Sequence, residues 1–342
     1  MRDFHLDRMT ETTLSRAVAV RACAVLLLAF LGSLPVMGQD LPPLKQEFGA
    51  AELPTSLRDI LPDQLSKHIL FEANHESGTL DEWSRPKAKY PGGGVLNTGP
   101  ENEILATASQ EVAFTGSYSA KAKIVGAFRG KAKRAVRLMR WTDKPWDEKG
   151  DYFPKQAFYS TWMFVPEKYN SNKYAPWDPG DGGWWNIFQF KANDENEESI
   201  PVWALNLYFS DERQQMEIGL YSQINTPNYF GPQEPVAVPV GRWIHLEVGY
   251  NVSATGSGSV EVWQDSVRII TASQVKTAVT PKNENAVWGL GNYTDHVDGG
   301  EAPGSSVLYF DDAIVSKVAI HDALFKSAWV LQRIESARRI DR

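Results

Sequence analysis

From His68 to Ile320 the chain runs as short segments in which apolar and polar side chains alternate, separated by Gly, Pro, Asn and Asp. Period-two alternation is the mark of a strand with one buried face. Ile69–Glu72 comes first, then Ser117–Val125, Arg134–Arg140, Ala157–Val165, Trp184–Ala192, Pro201–Phe209 and Gln215–Tyr221. Trp243–Tyr250, Ser259–Trp263, Val287–Tyr293 and Val307–Asp311 complete the series. A tight turn is expected at Asp265–Ser266, with a strand on either side. No intervening segment holds a helical period of useful length. Many strands without helices between them predict an all-β fold, an antiparallel jelly-roll sandwich, as one domain over residues 68–320.

The flanks read differently. Residues 39–67 are mixed and Pro-containing, which suits a linker with one or two helical turns. Residues 321–342 predict an amphipathic helical tail that caps one end of the sandwich. Residues 1–38 carry Arg2, Arg8, Arg16 and Arg21, the apolar run Ala24–Leu31 and small residues near Gly38. That is the layout of a secretory signal peptide, too short to span a membrane. Met9 as the true start would give a more ordinary charged region. A secreted product, extracellular or periplasmic, is expected. The sole cysteine, Cys23, falls inside this segment. The mature chain is therefore expected to hold no disulfide and no thiolate chemistry. No second apolar run reaches transmembrane length, so no membrane partner is expected, and a monomer is.

A formal net charge of −7 argues against nucleic acid as a partner, because phosphates demand a basic footprint. The 12 Trp, 12 Tyr and 15 Phe fill a β core, and those at a surface suit sugar rings. One local patch runs against the overall charge: Lys121, Lys123, Arg129, Lys131, Lys133, Arg134, Arg137 and Arg140. On the strand 134–140, Arg137 shares a face with Ala135 and Met139, while Arg134 and Arg140 share the other. Edge-strand protection accounts for most of the lysines, yet the patch favours an anionic ligand.

Isolated polar side chains on otherwise apolar strands, Gln189 and Lys191 on one and Tyr293 on another, suggest a sheet face that handles a polar polymer. Polysaccharide is the first substrate class to consider. His245 shares a strand face with Trp243 and Glu247, where a structural role is the commoner outcome. His296 follows Tyr293 closely enough to reach the same rim. The acidic stretches 178–181 and 193–198 have oxygen ligands but no EF-hand spacing. No P-loop, zinc-spaced His pair or G-x-S-x-G is present. Glu217 and Glu247 stand alone on their strands, which ranks a glycoside hydrolase low. Asn251-Val-Ser253 and Asn292-Tyr-Thr294 are glycosylation sequons, and a glycan on Asn292 would crowd Tyr293.

The series Trp243-x-His-Leu-x-Val, Val260-Glu-Val-Trp-Gln-Asp265, with Phe71-Glu72, Phe158–Pro166, Phe188–Lys191, Gly291-Asn-Tyr293 and Tyr309–Asp312, resembles the concanavalin A-like jelly-roll polysaccharide lyases. That group includes heparin lyase I and glucuronan lyase. The resemblance spans most of residues 68–320. It implies β-elimination on an acidic, uronate-containing polysaccharide. The uronate carboxylate is neutralised, a base takes the C5 proton, and an acid protonates the leaving oxygen.

The resemblance assigns Gln189 to neutralising the carboxylate and Tyr293 to the proton transfer. It places Arg137 in the cleft. Arg134, Trp184, Trp185, His245 and His296 are expected as further substrate contacts, with Trp184, Trp185 and Tyr229 as an aromatic rim and His296 as a reserve base. Related lyases often hold a His two residues after the Gln; here that position is Lys191. The substitution fits a different uronate, a Tyr293 that performs both transfers, or a binding protein without turnover. No cofactor is required, although a structural Ca²⁺ joining Glu72 to Asp311 or Asp312 is implied by many sandwiches of this class. A lectin-like carbohydrate-binding protein on the same fold is the main alternative to the lyase.

Overall fold

The computed structural model describes residues 54–83, 94–98, 104–125, 134–141, 154–169, 185–193, 199–280, 287–294 and 305–340. Two antiparallel sheets make up the sandwich. Sheet A contains β1 (Ile69–Ala73), β3 (Ile104–Ser109), β4 (Ser119–Val125), β6 (Gln156–Phe164), β11 (Trp243–Asn251), β12 (Gly258–Gln264), β13 (Val267–Val275) and β15 (Ser305–Ser316). Sheet B contains β2 (Gly94–Thr98), β5 (Arg134–Trp141), β7 (Trp185–Asn193), β8 (Ser199–Ser210), β9 (Gln215–Ser222), β10 (Tyr229–Phe230) and β14 (Val287–Thr294). The strand order in A is β13-β12-β11-β6-β15-β4-β3, with β1 also on β15; in B it is β10-β9-β8-β7-β14-β5-β2. Among the described residues, α-helices α1 (Asp63–Ser66), α2 (His321–Leu324) and α3 (Ala328–Ile340) flank the sheets.

The jelly-roll expectation is met, with differences at the edges. The sequence reading holds no strand at 94–98 or 104–109, where alternation is weak. The tail is two helices, because the chain turns between Leu324 and Ala328. The turn at Asp265–Ser266 forms as expected, with both residues at positive φ.

Alternation sorts each strand between two apolar layers. Tyr159 and Tyr250 of sheet A meet Phe188, Phe190 and Trp288 of sheet B, with Phe190 stacked 3.9 Å from Tyr250 and Tyr159 edge-on to Phe190 at 4.8 Å. Each such aromatic, buried completely, contributes about 2–3 kcal/mol. One polar group crosses this layer. Asn292 on β14 donates its amide to the carbonyls of Ala122 (2.9 Å) and Ser306 (3.0 Å) in sheet A. Its Oδ1 accepts from Trp185 Nε1 (2.8 Å) and Ser306 Oγ (2.9 Å). Every amide position is used and the side chain is buried, so Asn292 cannot carry a glycan.

The second apolar layer lies on the outer face of sheet A. Trp162 and Trp243 pack there with Phe114, Leu324, Val330 and Ile334, and Phe114 stacks on Trp162 at 3.7 Å. Arg333 on α3 donates to the carbonyls of Ala113 (2.7 Å) and Phe114 (3.1 Å). The C-terminal segment therefore occupies the outer face of sheet A. Polar and ionisable side chains gather instead on the outer face of sheet B.

Candidate active site

Residues directly opposite one another in an antiparallel ladder project to the same face. On β14, Trp288 and Leu290 enter the core, so Gly289, Gly291 and Tyr293 face outward. Gly289 stands opposite Gln189 on β7 and Met139 on β5. Gly291 opposes Arg137, Val287 opposes Lys191, and Tyr293 opposes Asn186 and Ala135. Three neighbouring strands thus bring Gln189, Lys191, Arg137 and Tyr293 onto one patch.

The two glycines make this patch possible. A Cβ on Gly291 would sit 2.7 Å from the Val136 carbonyl oxygen and 3.3 Å from Arg137 Cγ. Without one, Arg137 leans across the gap and sets its guanidinium carbon 4.3 Å from the centroid of the Tyr293 ring. That distance is within cation–π range.

Asn186 reaches the same face by a different route. It lies three residues before Gln189, an odd step that alternation alone would send to the opposite side. Register shifts between Leu290 and Tyr293, and between Asn186 and Phe188, restore the parity. Ile187 and Phe188 both turn into the core across this bulge. Asn186 Nδ2 donates to Asn206 Oδ1 on β8 at 3.0 Å. Asn186 is buried, and its place on this face is not legible in the sequence, because the bulge that turns it there has no signal in an apolar pattern.

Burial sets the electrostatics. Gln189 is only 3% exposed, and its Nε2 has no hydrogen-bond partner among the described residues. Lys191, Arg137 and Tyr293 keep partial exposure. Burial lowers the Lys191 ammonium to about 8, and the Arg137 charge beside it acts in the same direction. Burial also lowers Arg137, partly offset by Tyr293. Two cations and an unpaired amide donor on one buried patch can receive a carboxylate. A lysine near 8 can take up a proton close to neutral pH.

Other expected contacts fall elsewhere. Arg134 has the parity of Val136 and Leu138, away from this face, opposite the buried Thr294. Trp185 is fully buried with its indole N–H on Asn292, so it is a core residue and not a sugar platform. His245 is correctly placed beside Trp243 and Glu247, but that face of sheet A lies beneath the C-terminal segment. Its ring is 5.0 Å from Trp162 and wholly buried, and burial lowers it to about 3. It lies on the outer face of sheet A, away from Gln189, Arg137 and Tyr293 on sheet B. Trp184 and His296 lie outside the described residues, as do Arg129, Lys131, Lys133 and the acidic stretches 178–181 and 194–198. Glu217 is on sheet B and Glu247 on sheet A, so the two do not pair.

The Glu72 and Asp311 carboxylates already have partners from the chain. Glu72 Oε2 accepts from Arg58 Nε at 2.6 Å, and its Oε1 accepts from Ser56. Asp311 Oδ2 accepts the backbone N–H of Phe114 (2.7 Å) and Thr115 (3.3 Å), and its Oδ1 that of Asp312 (2.9 Å). Asp312 Oδ2 is buried without a partner among the described residues. No group of three His, Cys, Asp or Glu side chains among the described residues is disposed to hold a metal ion.

A family model described as polysaccharide lyase matches residues 75–313. An endo-β-1,4-glucuronan lyase from the fungus Trichoderma reesei superimposes with a TM-score of 0.50 at 17% identity, covering 75% of this chain and 98% of that one. The catalytic domain of a glycoside hydrolase family 131 protein from Coprinopsis cinerea gives 0.43 at 10% identity, over 74% and 96% of the two chains. An alginate lyase from Pseudomonas aeruginosa gives 0.37 at 13% identity, over 61% and 85%. At such identities the likeness to the glucuronan lyase is one of fold. No curated protein matches the chain.

Proposed function

Because the chain belongs to the polysaccharide lyase family, we propose that it cleaves a uronate-containing polysaccharide by β-elimination on the outer face of sheet B, after export from the cell. The observation that supports this most is the buried, unpartnered Gln189 amide set beside Lys191 and Arg137. A buried donor without an acceptor is unfavourable by about 1–3 kcal/mol. An incoming carboxylate would relieve it.

In this reading Gln189 donates to one carboxylate oxygen and Arg137 places its positive charge by the other. Withdrawal of charge from the carboxylate acidifies the C5 proton. Lys191, in its neutral form, takes that proton. The freed electron pair becomes the C4–C5 double bond and the C4–O bond breaks. Tyr293 donates its hydroxyl proton to the leaving oxygen. The products are an unsaturated uronate and a free hydroxyl on the departing sugar. Proton exchange with water returns Lys191 and Tyr293 to their starting states.

The test is ultraviolet absorbance of the unsaturated product during incubation with glucuronan, alginate, heparin, hyaluronan and pectate. A rise with one polymer, lost in Tyr293→Phe while polymer binding persists, is the expected result. A flat trace across the panel, with a polymer still retained in an affinity gel, would replace the lyase by a carbohydrate-binding protein.

A further inference from the structure

The patch around Gln189 accounts for one half of the outer face of sheet B; the other half ends in an exposed aromatic. Two rows of register partners lead to it. The first runs Gln189–Ala204–Tyr221–Tyr229, and the second Tyr293–Asn186–Asn206–Gly219. Both cross the strands at right angles, and all their members project to one face. Tyr229 lies three strand spacings from Gln189, about 14 Å.

Tyr229 is 44% exposed, yet held in a fixed position. Its ring leans over Gly219, where a Cβ would meet ring carbons at 2.8 Å. Tyr208 packs edge-on against it, with centroids 6.0 Å apart. The Tyr208 hydroxyl donates to the buried Glu217 at 2.7 Å. Glu217 also receives Arg213 Nε (2.5 Å) and Nη2 (2.9 Å) and Gln215 Nε2 (2.8 Å). The Arg213 charge is thus spent on Glu217 and, through Nη1, on Glu212 at 3.2 Å. This end of the face offers a supported aromatic surface, and the Arg213 cation there is already paired.

We propose that Tyr229 is a distal sugar subsite on the same outer face of sheet B, one that stacks on a pyranose ring and does not read its carboxylate. It rests on the lyase reading of the Gln189 patch and extends it. Charge recognition belongs to the Gln189–Arg137 end, and ring recognition to the Tyr229 end. A neutral sugar is then tolerated at Tyr229, and a polymer must span both ends to gain the full affinity.

The test uses the full chain and two variants, Tyr229→Ala and Gly219→Ala, the second of which displaces the ring without removing it. Thermal melting confirms that each is folded. Affinity-gel retention by the polymer panel is measured, together with product absorbance on long polymer and on the shortest cleaved oligomer. Both variants are expected to weaken retention about three- to tenfold and to lower kcat/KM equally on long polymer, with no change on the short oligomer. The Tyr229 contribution should persist at high salt, where an ionic subsite would lose it. Unchanged retention and unchanged long-polymer kinetics in Tyr229→Ala overturn the subsite while leaving the lyase reading intact. If no polymer yields product, the lyase reading fails and retention alone decides. Loss of retention in Tyr229→Ala then supports the subsite, and retention that is absent or unaltered overturns it.

Discussion

The Arg137 guanidinium carbon lies 4.3 Å from the centroid of the Tyr293 ring, across the bare backbone of Gly291. A flat cation on an aromatic face fixes both partners, and a lysine cannot reproduce it. Arg137→Lys keeps the charge, loses the fork and frees the Tyr293 ring. The expected outcome is a fall in kcat/KM of about ten- to a hundredfold, a few kcal/mol at most. Melting temperature should change little. Steady-state kinetics beside a thermal melt checks both.

Lys191 gives the site its pH dependence. Burial, then Arg137, lowers it from the usual lysine value to about 8. The neutral amine is the reactive form, so kcat/KM should rise with pH through an apparent value near 8. Lys191→Gln should abolish the rise with the activity. The stability effect follows from the same shift. The native state sheds its proton near 8 and the unfolded chain near the ordinary lysine value. Stability therefore increases between those limits, and below 8 the buried ammonium is a burden. Lys191→Met should stabilise the protein at pH 7 by on the order of 2 kcal/mol, as read by urea denaturation.

How far the sequence reveals this site depends on what each residue requires. Gln189 and Lys191 are legible because Phe188 and Phe190 fix the parity of β7, and Arg137 because Val136 and Leu138 do the same for β5. His245 is placed on the correct strand face, but alternation does not say which outer face a distant helix will cover. The segment after Ile320 settles that, through long-range packing on Trp162 and Trp243. Trp185 reads as a rim aromatic until Asn292 is seen to hold its indole within the core. Asn186 depends on a bulge, which shifts parity without altering composition.

Asp312 is fully buried at positive φ (45°), and its Oδ2 lacks a partner among the described residues. Burial and then the neighbouring Asp311 push its carboxyl well up. A carboxyl raised in the native state favours folding below the unfolded value and loses that advantage as pH rises. Asparagine tolerates the left-handed backbone and carries no charge. Asp312→Asn is therefore expected to raise stability at pH 7 by about 1–3 kcal/mol. A fall in melting temperature, matched by a fall in the wild type on chelation, would instead make Asp312 a cation ligand.

Glu247 on β11 is buried, and it accepts His321 Nδ1 at 2.5 Å and the Ile320 backbone N–H at 3.0 Å. This one carboxylate ties the start of α2 to the outer face of sheet A. Burial alone would lower His321, but the hydrogen bond and charge of Glu247, with Asp322 and Glu261 nearby, raise it overall. His245, the other titratable group facing it, is held neutral by burial. A histidine raised in the native state contributes its stability below the unfolded value and loses it as pH rises through the native one. Limited proteolysis of the tail should therefore accelerate as pH increases above neutrality, while the sandwich core stays resistant. Glu247→Gln keeps the shape but removes the charge, so the pH dependence should vanish and stability fall by about 3 kcal/mol. A tail whose cleavage rate is flat with pH in the wild type would show that the apolar layer under Leu324 and Val330, and not the Glu247–His321 pair, holds it down.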